Sequence, residues 1–276
     1  MDKKFDAALF DFDGTIADTG RGIFNGVYKV IETMGIDPPP QEKLRYFIGP
    51  PLHDSFRTAF GLDEEQCLAA VAIYREYYSA RGIFELTIYD GMEELLRKLK
   101  ARGVKLGISS SKPEVFLKRI VEHFGLTELF DVVAGSDINY IHSDKSLIIR
   151  RATETMRLPE DARVLMVGDR CFDINGAKKA GVYSAGVLFG YGSREEFEEA
   201  GRIGCEAGGV LFHCSFPMFS ASDDAWYARC GRRVAAALAL DEPVDHHHAN
   251  AWKISQLDAV QKVLARRMLS LVHEHE

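Results

Sequence analysis

From residue 91 onward the sequence alternates between two structural periods, and this alternation constrains the fold more than any other feature. "GMEELLRKLKARG" (91–103) reads as an amphipathic helix ending in Gly103, and "VKLGIS" (104–109) as a strand. "KPEVFLKRIVEHFG" (112–125) is a helix and "FDVVAG" (130–135) a strand, followed by the helix "KSLIIRRATETM" (145–156) and the strand "RVLMVGD" (163–169). "DINGAKKAG" (173–181) and "VYSAGVLFG" (182–190) repeat the pair. Strands joined through helices pair in parallel, and a parallel sheet must be covered on both faces. The chain is therefore expected to be α/β, a doubly wound parallel sheet.

One strand stands apart. Phe5 to Phe10 is a short apolar run, and the chain after it is helical up to residue 85. Ile23, Val27, Val30 and Ile31 recur at helical spacing until "GIDPPP" stops that helix, and "DEEQCLAAVAIYREYYSARG" carries acidic residues early and Arg81 and Gly82 late. The expected organisation is a core formed by 1–16 and 86–201, with an all-helical cap inserted at 17–85. Residues 202–276 lack a clear period until "KISQLDAVQKVLARRMLSLV". They are read as an atypical extension, either genuine or the product of a frameshift near Gly201.

The net charge of -7 argues against a broad surface for nucleic acid or anionic membrane. It leaves small anionic substrates open, because a local cationic pocket can sit on an acidic protein. "MDKKFDAALFDFDG" lacks the apolar stretch of a signal peptide, and no segment reaches the roughly 18 apolar residues of a membrane helix. The five cysteines are scattered and form no CxxC pair, so they read as reduced thiols of a cytoplasmic protein. The expected partner is a small phosphorylated metabolite, with no nucleic acid and no membrane. Oligomeric state is left open.

Ligands of open parallel sheets bind outside the carboxyl ends of the strands. Those ends carry Asp11 and Asp13, then Ser109 to Pro113, then Lys145 beyond "SDINYIHSD", then Asp169 and Asp173 in "GDRCFD". Carboxylates this close repel each other, so a cation is expected to offset them. Oxygen ligands of this kind suit Mg²⁺. Hydroxyls, helix N-termini and a lysine suit a phosphate. The inventory points to metal-assisted phosphoryl transfer. The serines also read as the N-cap of the next helix.

DFDGT, SSKP, a spaced lysine and GDRxxD, in this order, resemble the haloacid dehalogenase superfamily. "YFIGPPLHDSF", "ISSSKPEVFLKRIVEHFGL", "LMVGDRCFDINGAKKAGV" and "GVLFGYGSREE" resemble its phosphoglycolate phosphatase and 5'-nucleotidase-like group. The resemblance covers about residues 4 to 201. It implies a Rossmannoid core with an inserted helical cap, and a Mg²⁺-dependent phosphatase acting on a small phosphate monoester through an aspartyl-phosphate. It implies Asp11 as nucleophile and Asp13 as general acid and base, with Ser110, Ser111, Lys145 and Gly14 binding phosphate. Asp11, Asp13, Asp169 and Asp173 would hold the metal, Asp13 through its backbone carbonyl. Arg45, Phe47 and Lys112 are candidates for substrate contact from or beneath the cap. A phosphomutase of the β-phosphoglucomutase type and a non-catalytic phosphate-binding protein are the alternative readings.

Overall fold

A computed structural model describes residues 5–138, 144–202 and 213–214. Strand β1 (Ala7–Phe10) leads to a two-residue strand β2 (Ala17–Asp18). Four helices come next: α1 (Gly20–Met34), α2 (Gln41–Leu44), α3 (Leu52–Phe60) and α4 (Glu64–Ala80). β3 (Thr87–Ile88) then returns antiparallel to β2, so the helical insert leaves and rejoins the core at one point. Beyond it run α5 (Met92–Ala101), β4 (Lys105–Pro113), α6 (Glu114–His123), β5 (Val132–Ser136) and α7 (Lys145–Thr155). The described chain ends with β6 (Val164–Gly168), α8 (Cys171–Ala180), β7 (Tyr183–Val187), α9 (Arg194–Arg202) and β8 (His213–Cys214).

The main sheet has the order β5-β4-β1-β6-β7-β8 and is parallel throughout. Ala7 of β1 pairs with Lys105 on one side and Val164 on the other. The order of strands thus reverses at β1, and the crevice for a ligand opens beside the point of reversal. Both faces are covered. Ala8, Phe10, Leu106, Ile108 and Val167 pack with Leu96 and Leu99 of α5 and Leu117 and Ile120 of α6. Ala7, Leu9, Val164 and Met166 pack on the other face with Ile148, Ile149 and Ala152 of α7 and Ala177 of α8. Burying side chains such as Leu9 and Phe10 completely contributes about 1.5–3 kcal/mol each.

The insert's helices have recognisable ends. α1 stops at Gly35, whose φ of 65° suits glycine and whose N–H donates to the Ile31 carbonyl. α4 opens on a reciprocal cap: the Asp63 carboxylate accepts from the Gln66 N–H, and the Gln66 side chain accepts from the Asp63 N–H. The insert's interior includes an aromatic column, with Phe47 edge-on to Phe56 and Tyr74 stacked on Tyr78 at 5.2 Å between ring centres.

Two elements differ from the sequence reading. β4 runs on to Pro113, and α6 begins only at Glu114 with Pro113 before it, so the serines do not cap this helix. The residue before a proline avoids helical backbone, and the strand resumes pairing at Pro113–Ser136 after a register shift. The sheet also reaches past residue 201, because His213 and Cys214 pair with Gly186 and Val187. The remainder of 202–276, for which extension and frameshift are both open, lies outside the described residues.

Candidate active site

Asp11 is the first residue past β1, and its N–H donates to the Val167 carbonyl of β6, which fixes the backbone at the point of reversal. Asp169 comes directly after β6, Asp173 lies in the first turn of α8, and Lys145 opens α7. The Asp144 carboxylate accepts from the Ser146 N–H and caps α7 just before the lysine. Small residues make this convergence possible. A Cβ on Gly168 would lie 2.1 Å from the Asp173 carboxylate, and one on Gly176 would lie 2.8 Å from the Lys145 stem.

The lysine Nζ sits 2.9 Å from Asp11 Oδ1 and 2.7 Å from Asp173 Oδ1. Burial works against its charge, but Asp11 and Asp173 outweigh that and hold the ammonium above the usual lysine range. Asp11, Asp169 and Asp173 place carboxylate oxygens within 4.8 Å of one another, all three buried. Burial, then repulsion from Asp11 and Asp173, raises Asp169 well above the usual carboxyl range. Asp173 is pushed up to about 6, burial and Asp11 outweighing Lys145. Fully ionised, the three buried carboxylates against one ammonium would leave two negative charges. A divalent cation with a preference for oxygen fits that deficit, and Mg²⁺ is such an ion.

A second charge pair sits beside the first. Asp13 Oδ1 lies 2.8 Å from Lys112 Nζ, which also donates to the Tyr78 hydroxyl at 2.7 Å. Tyr78 belongs to α4, so this chain of contacts joins the insert to the core. Ser110 is buried, and its Oγ accepts from the Lys112 N–H at 3.3 Å.

A cavity of about 350 Å³ lies between the insert and the carboxyl end of the sheet. Asp11, Asp13, Ser110, Ser111, Lys112, Lys145 and Asp173 line its floor, and Phe47, Leu52, Leu68 and Phe172 its walls. The structure thus brings together most of the residues singled out in the sequence. Asp169 is fully buried behind this floor. Two residues fall elsewhere. Arg45 is exposed in a short turn of helix and does not line the cavity. Gly14 spends its N–H on the Ala17 carbonyl rather than offering it to a ligand. Its φ of 77° and missing side chain make room for Asp169 and Tyr191, since a Cβ there would lie 2.1 Å from Asp169 Oδ2.

Other contributors escaped the sequence reading. Tyr78 holds Lys112. Arg170 pairs with Glu196 and donates to the Ile48 carbonyl of the insert at 2.8 Å. Tyr191 donates its N–H to Asp169 Oδ2 at 2.7 Å. The GDR triplet and the "FGYG" loop mark the last two as neighbours of the site, but only the tertiary structure shows what they touch.

The family model for haloacid dehalogenase-like hydrolases matches residues 8–187. The chain belongs to that family. Relatives of this hydrolase include a 5'-nucleotidase of Pseudomonas aeruginosa, 37% identical over 70% of this chain and 87% of the relative. The tyrosine-protein kinase PtkA of Mycobacterium tuberculosis is 38% identical over 67% of this chain and 62% of its own length. A solved structure described as a "predicted phosphatase" from Clostridium acetobutylicum superposes with a TM-score of 0.67 at 37% identity, covering 82% of this chain and 97% of that one. As a haloacid dehalogenase-like hydrolase, the chain is an enzyme, and a phosphatase. Among its described residues no helix is long and apolar enough to cross a membrane.

Proposed function

We propose that this phosphatase hydrolyses a small phosphate monoester with Asp11 as nucleophile, a nucleoside 5'-monophosphate being the first candidate substrate and phosphoglycolate the second. The observation that carries the reading is the single lysine ammonium shared by Asp11 and Asp173 on the floor of the cavity between insert and sheet. Lys145 faces Asp11 Oδ1 and so orients the side chain that would attack phosphorus.

In the first displacement an Asp11 oxygen bonds to phosphorus, the ester P–O bond breaks, and Asp13 gives its proton to the leaving oxygen. In the second a water attacks the same phosphorus, Asp13 takes that water's proton, and the bond from phosphorus to Asp11 breaks to release phosphate. Lys112 holds one oxygen of Asp13, so the other oxygen is the one that exchanges the proton. Ser110 and Ser111 sit where they can donate to phosphate oxygens. Asp11, Asp169, Asp173 and the Asp13 carbonyl would hold Mg²⁺, which supplies charge compensation to the phosphoryl oxygens when bound.

The cavity walls favour a leaving group with an apolar face. Leu68 and Phe172 are 53% and 45% exposed, and both look into the cavity. A nucleobase would cover them, whereas a two-carbon acid would not. Two of the cations that line the cavity, Lys112 and Arg170, already face Asp13 and Glu196, so neither is spare for a substrate carboxylate.

The test is phosphate release from AMP, phosphoglycolate and glucose 6-phosphate, with Mg²⁺ and with chelator, beside Asp11→Asn. Release that needs Mg²⁺ and disappears in the variant is expected, with AMP turned over best. Equal release by the variant would exclude Asp11 as nucleophile, and preference for phosphoglycolate would reverse the substrate order.

A further inference from the structure

The loop between β7 and α9 touches the site from behind, and nothing in the proposed chemistry uses it. It is pressed against Asp169. A Cβ on Gly190 would lie 2.4 Å from Asp169 Oδ2, and one on Gly192 would lie 1.9 Å from the Asp169 carbonyl oxygen. Between these glycines Tyr191 gives its N–H to Asp169 Oδ2. Its ring lies over Gly14, where a Cβ would come within 2.7 Å of it.

The hydroxyl of the same residue reaches the hinge. It donates to Asp18 Oδ1 at 2.6 Å and accepts from the N–H groups of Thr19 at 3.0 Å and Gly20 at 2.9 Å. These amides begin α1, the first helix of the insert, and the Thr19 side chain does not cap it. The tyrosine does so from the far side of the sequence, together with Asp18 Oδ1, which also accepts from the Gly20 N–H at 3.0 Å. Burial and the bond to Asp18 raise this phenol well above the usual tyrosine range, so the hydroxyl keeps the proton it donates. The returning connector is held too: Phe189 packs edge-on against Tyr89 at 5.0 Å, and the Tyr89 N–H donates to the Ile16 carbonyl.

We propose that Tyr191 is a positioning residue, a staple that ties the hinge of the helical insert to the carboxylate of Asp169. Its hydroxyl fixes the seated orientation of the insert, and its N–H passes that orientation to the floor of the site. Hinge positions of this kind change turnover and apparent affinity together. The kinetic part rests on the phosphatase reading above, whereas the hinge part does not.

Two measurements on Tyr191→Phe separate them. The variant keeps the ring and the N–H and loses only the hydroxyl. Amide hydrogen exchange at Thr19 should quicken roughly three- to tenfold, the effect of one lost hydrogen bond, and at Gly20 by less, because Asp18 Oδ1 also accepts from that N–H. With AMP, kcat should fall and KM rise, lowering kcat/KM by at least as much, while the melting temperature changes little. Asp18→Ala, which removes the acceptor of the hydroxyl proton and the second acceptor of the Gly20 N–H, should lower kcat/KM in the same direction, and the double variant should add little to either single one. It also stands in if the phenylalanine variant does not fold. Unchanged exchange at both amides would overturn the staple. Quickened exchange with unaltered kcat and KM would overturn the positioning role. A wild-type protein that releases no phosphate from any ester would sink the substrate reading alone, and the exchange data would still decide the hinge.

Discussion

Asp173 shows how strongly this floor depends on its counter-charge. Its carboxyl is pushed up to about 6 and that of Asp169 higher than usual, so without a cation both hold protons more tightly folded than unfolded. Their contribution to stability is complete below the ordinary carboxyl range and is lost as pH rises, through about 6 for Asp173. A divalent cation competes with those protons. The rise in melting temperature produced by Mg²⁺ should therefore be small near about pH 5 and grow toward about pH 7. Thermal melts with Mg²⁺ and with chelator across that range check it, and an increment that shrinks with pH would contradict it. The acids themselves were legible in "DFDGT" and "GDRCFD" because each comes directly after an apolar strand. The role of Gly14 was not: motif resemblance assigns it to close approach of a phosphate, whereas the fold uses the empty space at its α-carbon for Asp169 and Tyr191.

At the scale of an element, α4 carries two kinds of information. Its start is written locally in "DEEQ", and Asp63→Ala should cost about 1 kcal/mol in denaturant unfolding while leaving kcat unchanged. Its far end acts across the molecule. Tyr78→Phe removes the hydroxyl that holds Lys112, and kcat/KM for phosphate release should fall about three- to tenfold with little change in stability. Nothing in the sequence announces this difference. Tyr74 and Tyr78 are both buried and lie one helical turn apart, and only packing brings the second to the lysine. The serines after β4 mislead for a related reason. A run of hydroxyls before "KPE" is good capping sequence, but the strand continues through these residues to Pro113.

The whole molecule is a sheet with a helical insert held over its active edge. Tyr78 with Lys112, Arg75 with the Ile138 carbonyl and Arg170 with the Ile48 carbonyl tie the two together. The cavity between them is where substrates are told apart. Phe172→Ala removes an apolar wall, so KM for AMP should rise about tenfold while that for phosphoglycolate stays within about twofold in steady-state assays. The architecture was legible because strand and helix periods are local properties of the chain. Which wall residue faces which floor residue was not, since that depends on how the insert docks.

The placement of β1 also governs how the protein is made. Ala7 is paired with Lys105 and Val164, so β1 has neither of these partners until the helical insert and much of the core have been synthesised. The contacts within the insert, α1 with α4 foremost, join segments made before β4, so the insert can form first. Nascent chains should pass through a stage with the insert formed and an unpaired apolar strand ahead of it. Such strands recruit chaperones or one another, so slow elongation before residue 164 is where this protein is most exposed to aggregation.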